Sequence, residues 1–298
     1  MSAQVINGAE LAAGIRADAQ QRVAAMAAQG WSVRLDAVMV GNPADAALYA
    51  RWQEKRCAKV GIAYRLHTLA EDFDNDALQS FIDGLSRDPD VTGVMLNLPL
   101  PDHLDVPAAQ YAIDPYKDVE GVNPANIGLL FYGTPIIAPC TARAVMAILE
   151  TAGVDVKGRD VCVVGQGSIV GKPIALALMG AEATVRTCNK YTTDLAAHTA
   201  DAGVLIAAAG VPGLIGREHV KPGAVVIDVG INTVPDPQSD DPAATRVVGD
   251  VRFDEVVERA GHITPVPGGV GPVTVAILLQ NAAEAAAKQH TARRIHPH

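Results

Sequence analysis

The stretch Val161–Met179, VCVVGQGSIVGKPIALALM, decides how the chain is read. Small and β-branched apolar residues run up to Gly165, a glycine turn follows, and a second apolar run starts near Gly171. Strand, turn and helix in that order leave free backbone N–H groups at a helix start, where they receive phosphate oxygens. The spacing from Gly165 to Gly171 is G-x-G-x-x-x-G, one residue longer than the usual dinucleotide fingerprint. Such a turn also occurs as plain packing. The strand ahead and the helix behind favour the phosphate reading, with Gly165, Gln166, Gly167, Ser168 and Ile169 as cofactor contacts.

Downstream, ATVRTC, GVLIAAAG and AVVIDVG are further short apolar strands, separated by TTDLAAHTADA and by the turn residues of GVPGLIGREHVKPG. Upstream, helical spacing over 8–28, 49–60 and DALQSFIDGLSRD alternates with the strands LDAVMVG, AYRLHTL and VTGVMLNLPLP. Two such alternations predict an α/β protein of two open parallel sheets, with ligands at the carboxyl ends of the strands. A helix over 141–152 is expected to bridge the domains, and a last helix from Pro272 to about Lys288 to pack back on the first. The expected division is 1–140 plus 272–298 for one domain and 141–271 for the nucleotide-binding one.

An NAD-selective site places Asp or Glu at the end of the strand after the turn. Here that end reads Asn189-Lys190-Tyr191-Thr192. Lys190, with Arg186 nearby, suits a 2′-phosphate, so NADP is expected ahead of NAD; the alternative is that Lys190 is a solvated surface residue. Further on, TPVPGGVGP over 264–272 has too much proline and glycine for strand or helix, and its bare backbone is able to lie flat on a planar ligand.

The chain has 298 residues and a net charge of −9, which argues against nucleic acid or an anionic membrane as partner. No leader and no membrane-spanning run is read from the sequence. The four cysteines are scattered without metal-ligand spacing, so no metal site, a reducing cytoplasm and buried thiols are expected.

PVPGGVGP, NLPLP, the KDVEG loop, PCT, GQGSIVGKP, IDVGIN and VVGDV together resemble the methylenetetrahydrofolate dehydrogenase/cyclohydrolase family over nearly the whole chain. The resemblance implies a folate-binding catalytic domain and a Rossmann-like NAD(P)-binding domain with a cleft between them, and a homodimer. It also implies oxidation of 5,10-methylenetetrahydrofolate to the methenyl form, usually followed by hydrolysis to 10-formyltetrahydrofolate. Tyr49 falls where the family stacks its folate, Pro99, Asp118, Pro267, Gly268 and Gly269 fall at substrate positions, and Ile231 falls at a cofactor position. The family's catalytic lysine, four residues after the tyrosine, is Gln53 here; its glutamine in QLPLP is Asn97 and its second aspartate in DVDG is Glu120.

Hydride transfer is chiefly a positioning task. Hydrolysis of the methenyl carbon requires a group that cycles between protonation states, and an amide does not titrate. The expectation is therefore a dehydrogenase with weak or absent cyclohydrolase activity, with Tyr49, Gln53, Asn97 and Glu120 as the catalytic set. Two rivals stay open: a relative acting on another reduced folate or pterin adduct, and a silent paralogue that binds folate or nucleotide.

Overall fold

The structure, a computed structural model, describes residues 2–41, 44–239, 241 and 243–295, the side chains of 44–49 and 292–295 excepted. In chain order come β1 (Gln4–Val5), α1 (Gly8–Ala27), β2 (Arg34–Val40), α2 (Ala44–Val60), β3 (Ala63–Leu69), α3 (Asn75–Arg87) and β4 (Gly93–Leu96). Next are α4 (Val106–Tyr111), α5 (Pro124–Phe131), α6 (Cys140–Thr151), β5 (Asp160–Val164), α7 (Gly171–Gly180), β6 (Thr184–Cys188), α8 (Leu195–Thr199) and β7 (Val204–Ala207). The chain closes with β8 (Val225–Asp228), β9 (Asn232–Pro235), β10 (Thr245–Val248), α9 (Phe253–Val256), β11 (His262–Ile263) and α10 (Val270–Ile295).

Two compact units result. One comprises Met1–Ala13, Leu130–Gly133 and Thr141–Val275, the other Gly14–Leu129, Thr134–Cys140 and Ala276–His298. The first thirteen residues fall in the unit with the six-stranded sheet, because β1 pairs in parallel with β11.

The first unit holds a six-stranded sheet ordered β1-β11-β8-β7-β5-β6, parallel throughout. All of β7 and β8 and all but the first residue of β5 are buried, as a parallel sheet covered on both faces requires. Cys162, Leu205, Val226, Ile215 and Ile263 belong to its apolar core. Strand β5 has β6 on one side and β7 on the other, so the strand order reverses at β5. That reversal opens a crevice at the carboxyl ends. Strands β9 and β10 form a separate antiparallel pair, so RVVGDV is half of a ribbon.

The second unit holds the parallel sheet β3-β2-β4. Central β2 buries Asp36, whose carboxylate meets Arg34 at 2.7 Å and His67 at 2.6 Å, so the buried charge is paired. Helix α3 turns Leu78, Ile82 and Leu85 into a core with Val38, Val40, Val94 and Leu96. Its first turn is capped by Asp74, which accepts from the Ala77 N–H at 2.7 Å. At its other end the buried Lys117 ammonium donates to the Asp88 carbonyl at 2.7 Å.

Strand β4 stops at Leu96, before Pro99 and Pro101, the prolines expected to end it. By length and composition Val270–Thr291 of α10 is apolar enough to cross a membrane, contrary to expectation, yet 61% of that window is buried inside the protein. Asn281 on α10 donates to the Val119 carbonyl at 2.8 Å and the Ala138 carbonyl at 3.1 Å, as expected of a last helix packing back on the first domain. All four cysteines are reduced and buried; burial pushes the Cys57 and Cys162 thiols up to about 12.

Candidate active site

The nucleotide turn joins β5 to α7. Gly165 has φ +122°, and a Cβ there would lie 2.0 Å from the Ala208 carbonyl oxygen at the end of β7. A Cβ on Gly171 would lie 2.0 Å from the Gly165 carbonyl oxygen. These two glycines let backbone pack on backbone. Gly167 differs, since a Cβ there meets nothing within 4 Å, and this open side faces away from the protein packing. Helix α7 begins without a side-chain cap at Val170; Lys172 N–H is taken by the Gly167 carbonyl at 3.0 Å and Pro173 carries no N–H, so the helix start offers a ligand the Gly171 N–H. A bare helix start and an open glycine fit the pyrophosphate of a dinucleotide.

Ser168 and Ile169 are exposed on the turn. Gln166 is tied to the end of β6: its Nε2 donates to Thr187 Oγ1 at 2.8 Å and its Oε1 accepts from Asn189 Nδ2 at 2.9 Å. Lys190 carries its ammonium 5.0 Å above the exposed ring of Tyr191. Arg186, expected to assist Lys190, is instead paired with Asp201 at 2.8 Å, and that carboxylate raises its pKa. Ile231, just past β8, is 69% exposed, an apolar surface at the carboxyl edge of the sheet.

The proline-glycine loop lies in the same unit. Gly8 N–H donates to the Gly268 carbonyl at 2.9 Å, and a Cβ on Gly8 would lie 1.9 Å from the Gly269 carbonyl oxygen. Gly269 N–H donates to the Pro265 carbonyl at 2.8 Å, Gly268 has φ +113°, and Pro267 follows a cis peptide bond and is exposed. The start of α1 thus braces the loop, which leads directly into α10.

The remaining candidates belong to the second unit. Tyr49 lies on α2, but its side chain falls outside the described residues. Gln53, one turn further on, is fully buried, and neither its Nε2 nor its Oε1 has a hydrogen-bond partner. Asn97 follows β4; its N–H donates to the Val38 carbonyl at 2.8 Å, while its buried Nδ2 has no partner. Pro99 follows the cis peptide from Leu98.

Asp118, expected at the substrate, is engaged inside its own loop. It is fully buried and accepts from Gly121 N–H at 3.0 Å, Asn123 N–H at 2.7 Å and Asn126 Nδ2 at 2.9 Å. Burial raises its pKa against those hydrogen bonds. Its loop runs beside β4 through a bridge to Val94 and carries half-buried Glu120, which accepts from the Leu96 N–H at 3.3 Å. Burial first, then the charge of Asp118, pushes the Glu120 carboxyl up to about 7. Glu120 is therefore a titrating group near neutrality, at the end of the strand that leads into Asn97.

The family description "Tetrahydrofolate dehydrogenase/cyclohydrolase, catalytic domain" matches residues 6–120, and its NAD(P)-binding counterpart matches 139–290. The chain belongs to this family. Among curated relatives it is 44% identical over 286 residues to the bifunctional protein FolD of Moorella thermoacetica, covering 96% of this chain and 99% of that protein. Among solved structures it resembles the bifunctional FolD of Campylobacter jejuni, with a TM-score of 0.90, 35% identity and coverage of 96% and 99%. The Trypanosoma brucei methylenetetrahydrofolate dehydrogenase-cyclohydrolase, solved with NADP and an inhibitor, also gives a TM-score of 0.90, at 37% identity and coverage of 97% and 98%.

In this family setting, Gly165 to Ile169 sit on the nucleotide turn as read from the sequence. The sequence reading missed Asp250, which accepts from Ala209, Gly210 and Val211 N–H groups and from Asn232. The only local signal was the glycine before it, whose Cβ would lie 1.8 Å from Asp228 Oδ2.

Proposed function

We propose that the chain oxidises 5,10-methylenetetrahydrofolate to 5,10-methenyltetrahydrofolate with NADP, and hydrolyses the methenyl product weakly or not at all. The dehydrogenase part rests on the family match and on the turn that suits a dinucleotide. NADP is supported by Lys190, by the lack of an acid at the end of β6, and by the NADP-bound relative from T. brucei. The observation that carries the second half is Gln53, a buried amide with both ends free of protein partners where the family's lysine is expected.

A bound nicotinamide would supply the acceptor for the hydride that leaves the methylene carbon. The chain's own residues then have a positioning task. The exposed Pro267 and half-buried Gly268 offer flat backbone, and Ile231 offers apolar surface against a ring. The Gln53 amide offers donors at Nε2 and an acceptor at Oε1, so it is able to orient a bound group but moves no proton. Hydrolysis lacks its cycling amine, and Glu120, titrating near 7, is the nearest substitute in chemistry.

The test supplies methylenetetrahydrofolate with NADP and follows reduced nicotinamide, then supplies methenyltetrahydrofolate and follows its loss. The expected result is dehydrogenase turnover with methenyl loss at the spontaneous rate, and faster hydrolysis in Gln53→Lys. Enzymatic hydrolysis by the wild type that survives Gln53→Ala overturns the proposal. A second reading, another reduced folate or pterin adduct as substrate, is favoured by Glu120, whose longer side chain reaches back to Leu96; folate binding without turnover selects it. Absence of any folate oxidation or dinucleotide reduction would leave the silent binder. A cytoplasmic homodimer belongs to the same proposal on the resemblance, and light scattering should report twice the 31.0 kDa of the chain.

A further inference from the structure

Two buried carboxylates in the nucleotide-side unit have no part in the chemistry above. Asp250 Oδ2 accepts from Ala209 N–H at 2.6 Å and Gly210 N–H at 2.9 Å, while Oδ1 accepts from Val211 N–H and Asn232 Nδ2, both at 2.9 Å. Three successive backbone N–H groups on one carboxylate form an anion nest, here filled by the protein itself. Asp228, at the end of β8, accepts from Gly230 N–H, Asp250 N–H and Val251 N–H, each at 3.0 Å. The packing leaves no slack: a Cβ on Gly230 would lie 2.2 Å from Asp250 Oδ1.

The nest leads to the site. Ala209–Val211 continues β7, and Ala208 is the backbone on which Gly165 of the nucleotide turn rests. The Asn232 arm holds the segment on which Ile231 stands exposed. Both segments leave carboxyl ends of the sheet, and β7 flanks the reversal of strand order.

We propose that Asp250, seated by Asp228, is a positioning residue for the dinucleotide: it fixes the wall behind the glycine turn and the apolar platform of Ile231 with one carboxylate. The inference rests on the dinucleotide-binding reading. A merely structural pair would lower stability and leave affinity for the folded protein unchanged.

Asp250→Asn keeps the shape and turns one acceptor oxygen into a donor that faces N–H groups. NADP affinity, measured by calorimetry on the full chain, is expected to weaken tenfold or more, with the KM for NADP following and the KM for methylenetetrahydrofolate within about twofold. Asn232→Ala removes one arm only and tests the same point if Asp250→Asn does not fold. It is expected to weaken NADP binding at least threefold with a thermal midpoint within about 2 °C of wild type. NADP affinity within twofold of wild type in Asn232→Ala, or in a folded Asp250→Asn, overturns the proposal. Failure of the wild type to bind NADP overturns the reading beneath it, and is seen before any variant is compared.

Discussion

Gln53 buries both ends of its amide without a protein partner, an arrangement that costs about 1–3 kcal/mol. Replacing it by an apolar side chain of similar shape removes that cost, so Gln53→Met is expected to raise stability by about 1 kcal/mol in urea unfolding while weakening folate binding. Unchanged folate affinity in that variant would assign Gln53 to packing. Glu120 offers the second residue-scale outcome. Its folded carboxyl keeps its proton up to about 7, against an ordinary value of 4.5. Its contribution to stability is therefore complete below about 4.5 and is lost as pH rises through about 7. Glu120→Gln escapes that loss, and at pH 8 should exceed the wild type by about 3 kcal/mol, with little difference at pH 4.5. An unfolding series across pH reads both limits.

At the scale of elements, the two kinds of glycine in the nucleotide turn separate folding from binding. Gly171→Ala drives a methyl group to 2.0 Å from a backbone oxygen and should cost about 1–3 kcal/mol. Gly167→Ala has room and should fold normally, yet lose at least tenfold in NADP affinity, because the methyl group occupies the open side of the turn. Calorimetry beside thermal melting distinguishes the two. This turn and the strands around it were legible because burial on both faces writes continuous apolar runs such as VCVV and VVID. Strand β1 was not legible, since two residues carry no periodicity and its partner β11 begins only at His262. Helices α4 and α5 are too short to show a period. The place of Asp118 in KDVEG marks it as a candidate ligand residue, whereas its partners Asn123 and Asn126 carry no such signal, lying ahead in the chain as ordinary loop residues. Asp250 escaped notice for the same reason at longer range, its N–H donors lying some forty residues upstream.

At the scale of the molecule, each unit has its own sheet and its own apolar core. Both tryptophans, Trp31 and Trp52, lie in the second unit, so indole fluorescence reports that unit, whereas circular dichroism reports both. A ligand at a hundred times its dissociation constant stabilises the fold that holds it by about 2.7 kcal/mol. Saturating NADP should therefore raise the dichroism transition more than the fluorescence one, and equal shifts would show the units to unfold as one. The net charge of −9 leaves the recognition of two anionic ligands to local groups such as Lys190.

The burial of all four thiols gives the protein a built-in clock. A disulfide reagent requires both access and a thiolate, and the folded chain withholds access at every cysteine. Reaction at Cys57 and Cys140 then times the opening of one unit, and reaction at Cys162 and Cys188 times the other, so the breathing of each half is countable by mass spectrometry without introducing a label.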